Sequence, residues 1–401
     1  MKNLKIMRKE VDKNTRDEFA VTCALMALLG EALGLKFQAQ NLAKLNFPTG
    51  HFEGEKLDGK SFEGVDWMMV YRLAVRQDVV AIAWEGLQRL MKDGRLTKGV
   101  LPLEVKIPWA MAVEQAKKRY EHQRGVIKKL ARFYNSHSIK MMILKGYGLS
   151  LCYPQPECRQ CSDVDIWLFG EQERGDDLLR KEHNVAIDEN KHHHTVFQVD
   201  RMLIENHYDF INVQSHLSNR EVERLLQKAA HENSRSMMVD DVEVWLPSAE
   251  FHALFLLRHS AMHFAAQYID LRHLLDWVLF VKAHHAEVDW RALRKVCVEQ
   301  NMHRFLNVMN TLAVDILGVE ECRVEGFERE DELEERVMKD IIHPEFPKRV
   351  PDDWGLWQNL TFKLRRWWGN RWKHYMVYRE GLFVTFVVQI ASHLYKPASL
   401  K

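Results

Sequence analysis

The sequence has little of what marks secreted, membrane-spanning or strongly charged proteins. Its 401 residues include six cysteines without a pairing rhythm, and 57 Lys and Arg nearly balance 56 Asp and Glu. The longest apolar run, GLFVTFVVQIA at 381–391, is shorter than the roughly 20 residues that span a bilayer. The first residues are charged and lack the apolar stretch of a signal peptide. We therefore expect a cytoplasmic protein with reduced thiols and without broad attraction for polyanions.

Helical periodicity dominates both ends of the chain, and strand-like runs are confined to its middle. The predicted strands are KMMIL, DVDIWLF, HHTVFQV, RMLIENHYDF and VEVWLP, at 140–144, 163–169, 193–199, 201–210 and 242–247. We predict a mostly helical α+β fold: a helical N-terminal domain over 1–137, a small mixed-sheet α/β core over 138–247, and a helical C-terminal domain over 248–401. Ser248 is the predicted N-cap of the first helix of that last domain.

Two aspartates, Asp163 and Asp165, stand one residue apart in a predicted strand. Residues i and i+2 of a strand point to the same face, so two like charges meet there and favour a cation between them. On a later predicted strand, Glu205 and His207 also share a face. Three carboxylates from two strands are suited to Mg²⁺, which prefers oxygen ligands and shares them with substrate phosphates. Mn²⁺ would serve in the same way.

The surrounding stretch, LKGYGLSLCYPQPECRQCSDVDIWL at 144–168, resembles a pattern of an uncharacterised nucleotidyltransferase family in the DNA polymerase β-like superfamily. It is also similar to abortive-infection-type toxin nucleotidyltransferases. The resemblance implies a nucleotidyltransferase core that moves a nucleoside monophosphate from a nucleoside triphosphate to a hydroxyl acceptor. It implies that Asp163 and Asp165 are metal ligands, that Glu205 is the third carboxylate, and that Gly146 lies at the nucleotide phosphates.

The chain departs from the wider superfamily pattern after Gly146, where Tyr147 replaces a phosphate-binding Ser. We expect the positive charge of Lys145 or Arg159 to replace the contact of that Ser with the phosphate. We also expect the Arg159 guanidinium to bind two oxygens of the triphosphate at once. The departure motivates one alternative, a catalytically inactive nucleotide- or RNA-binding module. A further alternative is a toxin-like enzyme that modifies tRNA or protein. The acceptor and the preferred base are not indicated by the sequence.

The histidines allow several interpretations. The run His192–His194 suits an exposed polar segment, a zinc site, or the wall of a cleft near Glu205 and His207, where His207 would orient Glu205 or contact substrate. His252, His259 and His263 lie on one helical face, either as core histidines that donate to carbonyls or as a roof that offers His259 and Arg258 to the substrate.

Three further segments carry weaker signals. Arg272 and Asp276 are spaced to pair with each other. Cys158 and Cys161 have no second Cys-x-x-Cys, so they are predicted to be a free, partly buried pair rather than a zinc site. The basic and aromatic run KLRRWWGNRWKHYMVY at 363–378 suits a packed helix, an RNA-binding surface, or a membrane-surface helix.

Overall fold

The computed structural model describes residues 2–45, 59–348, 351 and 354–395. Within these ranges the helices are α1 (Lys2–Leu33), α2 (Ala39–Lys44), α3 (Trp67–Arg76), α4 (Val80–Lys92), α5 (Leu103–Ser136), α6 (Tyr147–Ser150), α7 (Gln172–His183), α8 (Leu217–His231), α9 (Ala249–Ala266), α10 (Leu271–His284), α11 (Trp290–Glu299), α12 (His303–Leu317), α13 (Asp331–Ile342), α14 (Leu356–Gly369), α15 (Arg371–Val377) and α16 (Leu382–Tyr395). The strands are β1 (Met142–Ile143), β2 (Asp163–Trp167), β3 (His194–Val199), β4 (Met202–His207), β5 (Arg235–Val239) and β6 (Val242–Leu246). The predicted mostly helical α+β class is confirmed.

The strands form one mixed sheet in the order β3-β4-β2-β1-β6-β5. Strand β2 runs parallel to β4 and antiparallel to β1, while β1 runs parallel to β6. The edge strand β5 was not predicted, since its residues are mostly exposed and lack an alternating apolar pattern. In the turn between β3 and β4, Asp200 and Arg201 have φ values of 49° and 68°. A two-residue hairpin turn needs positive φ at both residues to match the twist of its strands.

The two faces of the sheet pack against different helices. Val164 and Ile166 point into a cluster formed with α5 and α7, whereas Trp167 packs into a larger cluster with the helices that follow the sheet. The first helix beyond the sheet, α9, begins at the predicted N-cap, where the Ser248 hydroxyl accepts a hydrogen bond from the Phe251 N–H at 3.2 Å. The face that carries Asp163 and Asp165 is therefore turned toward the C-terminal helices.

Helices from both ends of the chain share the larger cluster, which extends from Phe19 to Tyr378. Asn41 Nδ2 donates to the carbonyl of Asp315, 274 residues further along the chain, at 2.9 Å. Helices α1 and α4 approach so closely that a Cβ at Gly86 would overlap the Leu28 carbonyl. Among the described residues, no helix combines the length and apolar character needed to cross a membrane.

Candidate active site

Three acidic side chains meet on one face of the sheet. Asp165 and Glu205 are register partners on the parallel strands β2 and β4, and Asp163 stands two residues before Asp165. Asp165 is 1% exposed, while Asp163 and Glu205 are half-buried. The period-2 pattern of the sequence thus predicted which side chains share the face, because one face of the sheet is buried and sets the register.

Asp165 lies between two basic groups. Its Oδ1 is 3.1 Å from Lys145 Nζ and 3.2 Å from His207 Nε2. Burial alone would raise the pKa of Asp165, but the Lys145 charge and the His207 hydrogen bond hold it well below its usual range. The carboxylate is therefore ionised, and its Oδ2 is buried without a hydrogen-bond partner.

The donor set fits a divalent cation. Asp165 and Glu205 each bring a carboxylate oxygen within 4.8 Å of the other, and Asp163 stands two residues before Asp165 on the same face. Burial and the Asp165 charge raise the pKa of Asp163, which records the repulsion that a cation between the two carboxylates would relieve. The orphaned Oδ2 of Asp165 has no hydrogen bond that would compete with a bound cation. Asp163, Asp165 and Glu205 could hold Mg²⁺ or Mn²⁺ through oxygen.

His207 holds this carboxylate face in place. Its Nδ1 donates to the Asp209 carbonyl at 3.0 Å, so its other nitrogen faces Asp165 and Glu205. Burial would lower the pKa of His207, but its hydrogen bond to Asp165 and the nearby Glu205 carboxylate raise it to about 9, and the ring is an imidazolium at neutral pH. The sequence prediction that His207 orients Glu205 agrees with a separation of 3.7 Å between Nε2 and Oε2.

His193 and His194 line the same region. Their ring centroids lie 5.6 and 5.0 Å from that of His207. Burial, followed by the His207 charge, lowers the pKa of His194 to about 4. Both residues lie near His207, as the cleft-wall interpretation expects, and a ring nitrogen of each lies within 4.8 Å of one of His207, so the zinc-site interpretation also stays a prediction.

The predicted phosphate-binding segment divides between cavity and core. Lys145 and Gly146 line a cavity of about 330 Å³, and Gly146 adopts a φ of +59°, in the left-handed region that glycine enters without strain. Tyr147 instead points into the core, where its ring stacks on Tyr120 at a centroid distance of 5.6 Å. The structure gives no support for a contact between the Tyr147 side chain and the nucleotide.

Arg159 is engaged elsewhere than expected. Its Nε and Nη2 each donate to the Asp276 carboxylate at 2.7 Å, and its Nη1 lies 2.7 Å from the sulfur of Cys161. The Tyr153 hydroxyl donates to the same carboxylate at 2.7 Å. The expected pair of Arg272 with Asp276 is therefore wrong, because Asp276 is already occupied by Arg159. Cys158 and Cys161 form no disulfide and are both buried, whereas a partly buried pair was predicted.

Sequence reasoning did not single out two cationic side chains that line the cavity, Arg272 and Lys348. Arg272 donates through Nη1 to the Gln160 carbonyl at 3.3 Å, and its buried Nε makes no hydrogen bond and lies 4.0 Å from Asp270 Oδ1. Lys348 Nζ lies 2.9 Å from Asp270 Oδ2. The i, i+4 spacing of Arg272 and Asp276 predicted an ion pair between them and therefore gave no indication that Arg272 lines the cavity. No local sequence pattern identifies Lys348.

The histidines of α9 separate into different roles. His252 lies in the core, where its Nε2 hydrogen-bonds the Leu144 carbonyl as predicted. His259 faces the cavity, with its Nε2 3.1 Å from Lys145 Nζ, which agrees with the alternative of a roof over the cleft. Arg258 does not accompany it, because its guanidinium is buried against Ser218, Asn219 and the Val377 carbonyl.

The basic and aromatic run at 363–378 spans the end of α14 and all of α15. On α14, Lys363, Arg365 and Trp368 are exposed, the last by 58%. On α15, Lys373 is 1% exposed and pairs with Asp340 at 2.6 Å. The packed-helix interpretation therefore fits the second half of the run, and α14 keeps a surface open to a partner.

Comparisons with known proteins bear on the family of this chain. No curated protein matches it. The crystal structure of an antigenic nucleotidyltransferase-like protein from Paracoccidioides brasiliensis is similar with a TM-score of 0.32 and 15% identity, over 48% of this chain and 91% of that chain. The resemblance to abortive-infection toxins stays a prediction. A family model described as an uncharacterised nucleotidyltransferase matches residues 63–318, from just before α3, past the sheet, to the end of α12, and the chain belongs to this family.

Proposed function

We propose that this protein is a metal-dependent nucleotidyltransferase that transfers a nucleoside monophosphate from a nucleoside triphosphate to a hydroxyl acceptor. The observation that carries the proposal is the alignment of Asp165 with Glu205, next to Asp163, on the sheet face turned toward a cation-lined cavity. In the proposed reaction the acceptor oxygen attacks the α-phosphorus, and the bond to the bridging oxygen breaks to release pyrophosphate.

The carboxylates would hold the metal. Asp163, Asp165 and Glu205 offer oxygens on one face, and the buried Oδ2 of Asp165 has no competing partner. Bound Mg²⁺ or Mn²⁺ would stabilise the charge on the attacking and leaving oxygens. His207 and Lys145 keep Asp165 ionised and oriented for this role.

The cationic side chains of the cavity would hold the triphosphate. Lys145, Arg272 and Lys348 bring three positive charges to the pocket, and Lys145 lies on its acidic side, 3.1 Å from Asp165. A triphosphate placed between them would meet cations on one side and metal-bound carboxylates on the other. We propose this arrangement in place of the expected contact with Arg159, whose donors are directed at Asp276 and Cys161.

The acceptor remains a hydroxyl of RNA, protein or a small molecule. RNA is the acceptor for which the molecule offers a surface, since Trp368 on α14 is exposed and the Arg371 guanidinium lies 4.9 Å from the centroid of its ring. Aromatic side chains stack on bases while neighbouring cations meet phosphates. A toxin-like enzyme that modifies tRNA or protein would use the same chemistry, and growth arrest relieved by Asp163→Asn would identify it.

One observation favours a non-catalytic binding module as the second candidate. Tyr147, which replaces the phosphate-binding Ser of the superfamily pattern, is buried against Tyr120 and offers nothing to a nucleotide. Binding could then persist through the cationic wall while transfer fails.

The test uses the full chain with Mg²⁺ or Mn²⁺, each of the four α-labelled nucleoside triphosphates, and cell extract as a source of acceptors. Label transferred by the wild type and not by an Asp163→Asn, Asp165→Asn double variant would support the enzyme, and the labelled species would name the acceptor. Nucleotide binding by calorimetry without transfer would favour the binding module. If the protein neither binds nor transfers a nucleotide, both candidates are overturned.

A further inference from the structure

Three histidines converge on the cavity wall opposite the carboxylates. His259 and His263 are four residues apart on one face of α9, and His273 lies in the first turn of α10. Each brings a ring nitrogen within 4.8 Å of the other two. The centroid of the His273 ring lies 6.5 Å from that of His259 and 5.6 Å from that of His263.

The separation within the α9 pair has the size that a tetrahedral metal requires. The Nε2 atoms of His259 and His263 lie 3.3 Å apart. Two imidazole nitrogens bound to one tetrahedral Zn²⁺, each about 2.05 Å from the ion, stand about 3.3 Å from each other. A simple hydrogen bond explains the contact less well, because the His259 Nε2 also faces the Lys145 ammonium at 3.1 Å, and one lone pair cannot accept from both donors.

The third histidine is held as metal-bound histidines usually are. His273 Nδ1 lies 2.6 Å from Asp270 Oδ1, and Asp270 is completely buried. The carboxylate accepts from Nδ1–H, which fixes the tautomer and leaves the lone pair of Nε2 free. Lys348 holds the other oxygen of Asp270 at 2.9 Å. Metal-ligating histidines characteristically carry such a carboxylate on their second nitrogen.

We propose that His259, His263 and His273 form a binding site for a transition-metal dication of the Zn²⁺ class, separate from the carboxylate site for Mg²⁺. Imidazole nitrogens favour Zn²⁺ and its neighbours in the first transition series, whereas Mg²⁺ favours the oxygens of Asp163, Asp165 and Glu205. Three protein ligands leave the fourth tetrahedral position for water or a substrate oxygen, as in zinc sites with an open position. His259 and His263 both line the cavity, so that position opens toward it.

The two proposed sites are linked through Lys145. Its ammonium lies 3.1 Å from both His259 Nε2 and Asp165 Oδ1. A metal on His259 would take the lone pair that Lys145 now faces and would repel the ammonium toward Asp165. Filling the histidine site would therefore concentrate Lys145 on the carboxylate side, where the nucleotide phosphates are proposed to lie.

The test needs no nucleotide and no activity. Chelator-treated full-length protein is titrated with Co²⁺, whose visible absorption is intense in tetrahedral sites, and Zn²⁺ is then added as a competitor. We expect one equivalent of tetrahedral Co²⁺ that Zn²⁺ displaces. His263→Ala should weaken binding more than about 100-fold, since loss of an outer-shell partner alone costs about 10- to 100-fold. His263 is exposed, so this change leaves the fold intact, and circular dichroism checks that.

Two control variants separate this site from the proposed enzyme. His183→Ala, at another exposed histidine, should bind Co²⁺ like the wild type. The Asp163→Asn, Asp165→Asn double variant should lose nucleotide transfer and keep tetrahedral Co²⁺. Lys145→Met should bind Co²⁺ more tightly than the wild type. The proposal is overturned if His263→Ala binds Co²⁺ as the wild type does, or if the double variant loses tetrahedral Co²⁺.

Discussion

Asp276 binds Arg159 through two parallel hydrogen bonds of 2.7 Å, from Nε to Oδ1 and from Nη2 to Oδ2. Both side chains are nearly inaccessible to solvent, with 5% of Arg159 and 11% of Asp276 exposed. The pair ties α10 to the segment that leads into β2. It therefore fixes the position of Asp163 and Asp165 relative to the C-terminal helices, as a structural support for the site.

We predict that Asp276→Ala lowers the free energy of unfolding by about 3 to 5 kcal/mol, because it leaves a buried guanidinium without its counter-charge. Denaturant unfolding followed by circular dichroism measures the loss. The double variant Arg159→Met, Asp276→Leu should be less destabilised than Asp276→Ala, since it removes both charges together. A loss below about 1 kcal/mol for Asp276→Ala would contradict this prediction, because it would show that the pair contributes no more than an ordinary surface ion pair.

Arg272→Gln should weaken nucleotide binding with little change in thermal stability. The side chain lines the cavity, its Nε makes no hydrogen bond, and its contacts to Asp270, Asp78 and Gln160 are long, at 4.0, 3.5 and 3.3 Å. Loss of one charge-assisted contact corresponds to about 1.5 to 3 kcal/mol, or roughly 10- to 100-fold in affinity. Calorimetry with a nucleoside triphosphate and Mg²⁺ provides the measurement, and Arg323→Gln, at an exposed arginine away from the cavity, is the matched control.

Asp163→Asn should abolish transfer while leaving the fold as stable as the wild type or more stable. Burial and Asp165 raise the pKa of Asp163, so the ionised side chain opposes folding at neutral pH and a neutral amide relieves that cost. Loss of a metal ligand removes charge stabilisation worth several kcal/mol, a rate decrease on the order of 100-fold or more. Thermal melting and labelled-nucleotide transfer are compared on the same preparations. A clear loss of stability in Asp163→Asn would contradict the expectation.

His252 should make the protein sensitive to mild acid. Burial lowers the pKa of His252 to about 4, below its unfolded value of about 6.5, although the hydrogen bond to the Leu144 carbonyl opposes the shift. Its contribution to stability is therefore fully present above pH 6.5 and is lost as the pH falls toward 4, by up to about 3 kcal/mol. Denaturant unfolding at pH 7.5 and pH 5 measures the slope. His252→Gln should flatten it, and His183→Gln should leave it unchanged.

Trp368→Ser should reduce the affinity for single-stranded RNA if α14 receives the acceptor. Stacking on an exposed aromatic side chain contributes about 1 to 3 kcal/mol per base. Fluorescence anisotropy with a labelled oligonucleotide measures binding, and the affinity should fall as salt rises, because Lys363 and Arg365 are exposed on the same helix and Arg371 lies over the ring. Phe383→Ser on α16 is the control, as a 77% exposed aromatic residue. Equal losses in both variants would indicate a surface that is merely apolar.

The sequence predicted those parts of the site that a single strand or strand pair defines. Alternation places Asp163 with Asp165 and Glu205 with His207, and the register of β2 with β4 then brings the two pairs together. The buried opposite face of the sheet, with Val164 and Ile204, prevents the slip by one residue that would reverse these side chains. The alternation along each strand was sufficient to predict which side chains share a face, because burial of the opposite face allows only one register.

The remaining site residues depend on tertiary contacts that no local spacing encodes. Arg159 and Asp276 are 117 positions apart, so the i, i+4 neighbour Arg272 was the natural but wrong partner for Asp276. Lys145 and His259 meet across 114 positions, and Lys348 enters the cavity from a loop beyond α13. Strand β5 escaped prediction because an exposed edge strand has no apolar alternation to reveal it.

The hydrogen bond from Asn41 to the Asp315 carbonyl has a consequence for biosynthesis. The partner of α2 leaves the ribosome 274 residues after it, an interval on the order of tens of seconds at about 5 to 20 residues per second. Until then the apolar faces of the first helices lack the C-terminal half of their shared cluster. The nascent chain therefore exposes hydrophobic surface throughout most of its synthesis, and we expect its yield in cells to depend on chaperones that bind nascent chains.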